Sequence, residues 1–197
     1  MTPDSVRDRI LGATRELCSE QGFAGLTMRR VAERVGVTAP AIYRHFAGKA
    51  DLIRAMMDEA RELFMSYLVP ALKGSTARER FDLAGQRYLA FALEQPRAYE
   101  MLFMSANQFG LFGAPSSVNE WRGAPPATFQ FCVDRVADCV RDGTFKPGDP
   151  NLIALGIAGM SHGMIALWMA GRFGTDEDQF RALFHVALNA HLEGIAA

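Results

Sequence analysis

The chain has 197 residues, 49% of them apolar, with 21 Lys or Arg against 22 Asp or Glu and a formal net charge of −1. That length allows one large or two small domains with a sizeable core, and the charge argues against a chain that is basic throughout. The distribution is uneven, however: residues 1–54 hold nine Lys or Arg against six Asp or Glu, a net of +3, and the remainder carries a net of −4. A basic head on an acidic body suits a molecule that meets a polyanion at one end.

The opening MTPDSVRDRI is polar and reads as a helix start, not a signal peptide. A first helix is expected over Pro3–Gln21, with Val6, Ile10, Ala13 and Leu17 inward and Gly22 as its stop. Residues 26–49, LTMRRVAERVGVTAPAIYRHFAGK, carry the strongest signal. Thr27 is placed to cap a short helix, whose Val31, Ala32 and Val35 share one face. Arg29, Arg30, Glu33 and Arg34 fall on the other faces. Gly36 supplies the left-handed residue that ends a helix, and Val37 plugs the turn. Thr38 is a second cap, and Pro40 sits in the first turn of the next helix, where its missing N–H costs little. Ile42 and Phe46, four apart, face inward. Pro40, Ala41, Tyr43, Arg44 and His45 are left outward. This is a helix-turn-helix pattern, with a second helix over 38–45 crowded with groups that suit a nucleic-acid surface.

Small Ala39, Pro40 and Ala41 permit close approach to base edges. Tyr43, Lys49 and the hydroxyls of Thr27 and Thr38 suit phosphate oxygens. Arg44 and His45 suit either task.

Further helices are expected from Gly48 to Val69, from a Ser75 or Thr76 cap to Gln95, and from Pro96 through Met104. Gln108–Pro126, rich in Gly, Pro and Ser, reads as a long loop. Helical periodicity resumes over Ala127–Arg141, again after Asp149-Pro150, and after a Thr175 cap as far as Leu192. Leu152–Gly171 is long and apolar enough to span a bilayer and contains Gly159-x-x-x-Gly163. Ser161, His162, four glycines and the lack of a basic anchor favour a helix buried between subunits, so no membrane partner is expected.

Phe23, Leu26-Thr27, Val31-Ala32, Gly36-Val37, Ala41-Ile42-Tyr43, His45-Phe46, Lys49 and Leu52 resemble the DNA-binding domain of the TetR family of transcriptional regulators. The resemblance implies an all-α subunit. A three-helix helix-turn-helix domain occupies residues 1–47, and a helical ligand-binding and dimerisation domain occupies residues 48–197. It also implies a cytoplasmic homodimer joined through the last two helices, here about Asp149–Arg172 and Asp176–Leu192. The partners it implies are a palindromic double-stranded operator and a small-molecule effector that releases the protein from DNA. Met28, Arg29, Ala39 and Arg44 occupy positions that vary within the family and help choose the operator. Ala41 lacks a hydroxyl that many members carry. More weakly, Met160-Ser161-His162-Gly163 resembles the Trp-His-Gly signature of one C-terminal subfamily, without its tryptophan.

No catalytic constellation, metal-ligand spacing or phosphate loop is present, so neither enzyme activity nor a cofactor is expected. The body is rich in Met and aromatic residues. Phe64, Tyr67, Tyr88, Phe103, Met104, Asn107, Phe129 and His162 are expected as a set to surround an apolar effector pocket. An ordinary core explains each of them singly. A carrier or enzyme without DNA binding is the alternative reading of the body. Cys132 and Cys139, seven apart, leave a redox role open, while three cysteines without metal spacing fit a reducing compartment.

Overall fold

The computed structural model describes residues 5–104 and 126–196. Among the described residues the chain is all-helical, with no strand and one isolated bridge, Phe145 to Ala196. Contacts divide it into two compact units. The first runs through Leu63 and includes the segment beginning at Arg97. The second holds Phe64–Pro96 and the described residues from Pro126 onward. This contact division falls inside a helix at 63/64, while the resemblance implies domains of residues 1–47 and 48–197.

In the first unit, α1 spans Val6–Gln21. Ser5 caps it, accepting from Asp8 N while the Asp8 side chain accepts from Ser5 N. Ile10, Leu11, Ala13 and Leu17 are buried, but Val6, expected inward, is exposed. α2 is Met28–Val35 and α3 is Ala39–Tyr43. α4 is Lys49–Leu68, of which the part to Leu63 belongs here. α6, Pro96–Tyr99, runs on into a wide turn over Glu100–Met104. The core gathers Ile10, Val31, Ile42, Phe46, Leu52 and Met101. Each such side chain, taken wholly from water, contributes about 1.5–3 kcal/mol.

In the second unit, a 3-10 turn over Val69–Lys73 follows α4 at Pro70. α5 is Ala77–Glu94, capped by Thr76 with Glu79 reaching back, a motif worth about 1 kcal/mol. α7 is Ala127–Arg141, α8 is Pro150–Met169 and α9 is Glu177–Glu193. The cap of α9 is Asp176, not Thr175. The Asp176 side chain accepts from Gln179 N while the Gln179 side-chain oxygen accepts from Asp176 N, a reciprocal pair that Thr175, with Asp178 three residues on, does not complete. Phe81, Val133, Val136, Cys139, Phe145 and Leu192 form the core between these helices. Phe81 meets Phe145 edge-on at 5.0 Å.

Candidate nucleic-acid interface and effector cavity

The turn between α2 and α3 is fixed by backbone geometry. Gly36 has φ 76° and ψ 35° and donates to the Ala32 and Glu33 carbonyls. Val37 N–H donates to Ala32 as well. A side chain at Gly36 would meet no atom but would strain a left-handed backbone. Thr27 Oγ1 accepts from Arg30 N at 3.3 Å, so this hydroxyl is a cap. Thr38 precedes α3 in extended backbone but makes no side-chain cap bond.

α3 is shorter than the expected 38–45. Arg44 and His45 form a turn held by His45 N–H and Phe46 N–H, both donating to the Ile42 carbonyl. Ile42 and Phe46 are buried beneath it. On the outside stand Thr38, Pro40, Tyr43, Arg44 and His45, with Tyr43 at 54% exposure. Among the described residues, the side chains of Arg44 and His45 make no hydrogen bond or ion pair. Ala39 and Ala41 are half-buried, and Ala39 packs on the core.

Other basic residues of the head are engaged in holding it together. Arg34 bridges to Glu16 at 3.2 Å and to Glu20 at 2.8 Å, which raises the guanidinium's affinity for its proton. Arg9 Nη2 donates to the Val35 carbonyl, and Arg30 Nη1 to Gly25. Arg29, exposed, pairs with Glu33 at 2.8 Å. Two sequence expectations change here. Met28 is 8% exposed and lies in the core, because it shares the i, i+3, i+4, i+7 face with Val31, Ala32 and Val35. It cannot read an operator from there. Lys49 is half-buried, and its Nζ donates to the Phe23 carbonyl at 2.8 Å, so it ties α4 to the turn after α1.

The described residues of the expected pocket set divide between the two units. Phe64 and Tyr67 pack on Phe91, at ring distances of 4.7 and 5.4 Å. Tyr67 Oη donates to Glu94 at 2.8 Å and accepts from Gln95. Phe129 packs against the α5–α7 core, and Phe103 and Met104 belong to the first unit. Asn107 lies outside the described residues, as does 108–125 of the expected loop. His162 is half-buried, and burial lowers its pKa below the usual 6.5.

A cavity of about 70 Å³ does exist inside the second unit. α5 gives it Ala84, Gly85 and Tyr88; α7 gives Cys132 and Arg135; α8 and α9 add Ser161 and Leu188 among others. Of the expected set, only Tyr88 among the described residues lines it. Arg135 was missed, although Cys132, Arg135, Val136 and Cys139 form one helical stripe in the sequence. Burial pushes the thiols of Cys18, Cys132 and Cys139 up to about 11 each, which leaves little reactive thiolate at neutral pH. Among the described residues no group of three His, Cys, Asp or Glu is placed to hold a metal ion.

The family model for bacterial regulatory proteins of the tetR family matches residues 10–56, and the model for tetracyclin-repressor-like C-terminal domains matches residues 81–191. An HTH-type transcriptional activator, FasR of Mycolicibacterium smegmatis, is 25% identical over 89% of this chain and 77% of its own. A nucleoid occlusion factor, SlmA of Aliivibrio fischeri, is 27% identical over 85% of each chain. A TetR-like regulator from Rhodococcus sp. RHA1 shares the fold, with a TM-score of 0.68 at 18% identity over 98% of this chain and 99% of that one. The matched models cover both the helix-turn-helix head and most of the helical body, and the chain belongs to the TetR family of DNA-binding transcriptional regulators.

Proposed function

We propose that the protein is a homodimeric, cytoplasmic repressor that lays α3 and the turn through His45 into the major groove of a palindromic operator. The observation that carries this reading is the exposed Tyr43-Arg44-His45 group, held outward by buried Ile42 and Phe46. Two copies would present these groups about one helical turn apart, ~34–36 Å, or a multiple of it. Arg44 and Tyr43 are the leading contacts. Thr27, Arg29, Thr38, Pro40 and His45 are exposed and are further candidates, and Ala39 and Ala41 allow close approach.

Dimerisation through α8 and α9 is supported by their surfaces. α8 is the one helix among the described residues apolar and long enough to cross a membrane, with a mean hydropathy of 1.7 and little of it buried. Leu155, Gly159, Gly163 and Leu167 lie along one i, i+4 row, and a Cβ added at either glycine meets nothing within 4 Å. Leu152 is exposed on the same helix, and Leu183 and Val186 on α9. A second copy covering this face accounts for an apolar surface that a lone soluble subunit rarely carries.

The cavity of the second unit is the effector's site in this reading. A ligand favouring a conformer unsuited to the operator shifts the population away from DNA, by no more than its differential affinity. Activation, not repression, is the second reading, favoured by the likeness to FasR.

The test is a mobility shift on the chain's own upstream region at low salt. Arg44→Ala and Tyr43→Ala are expected to weaken binding about tenfold each, and Arg44→Ala is expected to reduce the salt slope by about one if it contacts phosphate. A chain that shifts no duplex is a carrier without DNA binding, and the assignment of α3 falls.

A further inference from the structure

The wall of the second unit's cavity is nearly all hydrocarbon, and Arg135 is the one charged side chain among the described residues that line it. Its side chain is only 13% exposed. Its guanidinium lies over the Phe131 ring at 4.8 Å, a partial compensation for lost water. Nη2 reaches Asp138 at 3.4 Å, at the long limit for such a bond. Asp138 gives its shorter contact, 2.7 Å, to Arg141. One carboxylate therefore serves two guanidiniums. Asp82 on α5 is already paired with Arg78 at 2.9 Å. The Nε–H of Arg135 is buried with no acceptor among the described residues. A buried, permanently charged group with an unmet donor is costly unless something supplies the missing acceptor.

We infer that the cavity takes a small organic acid whose carboxylate accepts from Arg135 while its apolar body lies among Ala84, Gly85 and Leu188. The inference rests on the cavity being the effector's site and narrows the effector from an apolar molecule to an apolar anion. A guanidinium presents Nε–H and a neighbouring Nη–H as a planar fork that matches two carboxylate oxygens. The volume sets the size of the body. About 70 Å³ is about five times the room one water requires. That suits a single ring or a short branched chain.

Isothermal titration calorimetry on the full chain tests this with sodium benzoate and with benzyl alcohol, which has similar bulk and no charge. Benzoate is expected to bind about ten- to a hundredfold more tightly than the alcohol. Arg135→Gln is expected to abolish that preference, and Arg135→Lys to keep part of it. The comparison of the two probes on the unaltered chain needs no variant, so it stands even if a substitution unfolds the protein. Equal binding of both probes to the unaltered chain overturns the acid and leaves the cavity as an effector site. Benzoate binding undiminished in a folded Arg135→Gln protein overturns the role of Arg135. Failure of both probes at millimolar concentration overturns the acid and the cavity together.

Discussion

The helix-turn-helix and the α8–α9 pair handle apolar surface in opposite ways. In α2 and α3 every large aliphatic side chain is at least partly covered from within the first unit, and ion pairs such as Arg34 with Glu16 and Glu20 dress the outside. In α8 and α9 the chain leaves Leu152, Leu155, Leu167, Leu183 and Val186 uncovered, and α7 in the same unit keeps a charged group, Arg135, only 13% exposed. A segment that must bind and leave a polyanion is finished by its own contacts. A segment that, in the proposed reading, is covered by a second copy and linked to a ligand need not be.

The largest effect that can break this contrast is Phe46→Ala. Phe46 is 2% exposed beneath the α3 turn, and its truncation is expected to cost about 3–5 kcal/mol. Urea melting should show the first unit unfolding early with the second unit's transition in place. A single transition shifted as a whole would mean that the two regions are not separately finished. Next comes Leu155→Glu with Leu167→Glu. Sedimentation should fall to half the mass, helical content should persist, and operator affinity should drop at least about a hundredfold, since one half-site remains where two were held. An unchanged mass would place the interface elsewhere.

The smallest effect sharpens the picture of the body. Burial holds the folded pKa of His162 below 6.5, so the unfolded chain takes up the proton first as the solution is acidified. The stability due to the neutral imidazole is therefore full above about pH 6.5 and lost as pH falls toward the folded value. Urea midpoints at pH 7.5 and 5.5 should differ less in His162→Gln than in the unaltered chain. Equal differences would show that this side chain is not the group responsible.

What could be read from the residues alone follows the range of the interactions. Thr27, Gly36, Ile42 and Phe46 act within a few residues of themselves, so the helix-turn-helix was legible. Met28 was misread because the surrounding motif drew attention to its outward neighbours, although its period with Val31 and Val35 already placed it inside. Lys49 looked free for phosphate, and its bond to the Phe23 carbonyl spans 26 residues, beyond any local pattern. Of the effector set, Tyr88 alone among the described residues meets the cavity, for a related reason. Aromatic richness says that a core exists, while Tyr67 bonding to Glu94 and Gln95, or Phe64 stacking on Phe91, depends on how α4 meets α5. Arg135 was visible as a charge on an apolar stripe, and that mismatch was the available sign of a buried charge.

Met101 is 9% exposed and belongs to the core formed by α1 to α4, with Ala98 and Leu102 packed beside it. The head is thus completed by a piece of chain that arrives some forty residues after Leu63. Grafting residues 1–63 onto a relative to change its target would carry over the reading surface and leave behind part of its foundation. A working exchange has to transplant the segment beginning at Arg97 as well, or supply in the recipient a side chain of Met101's bulk.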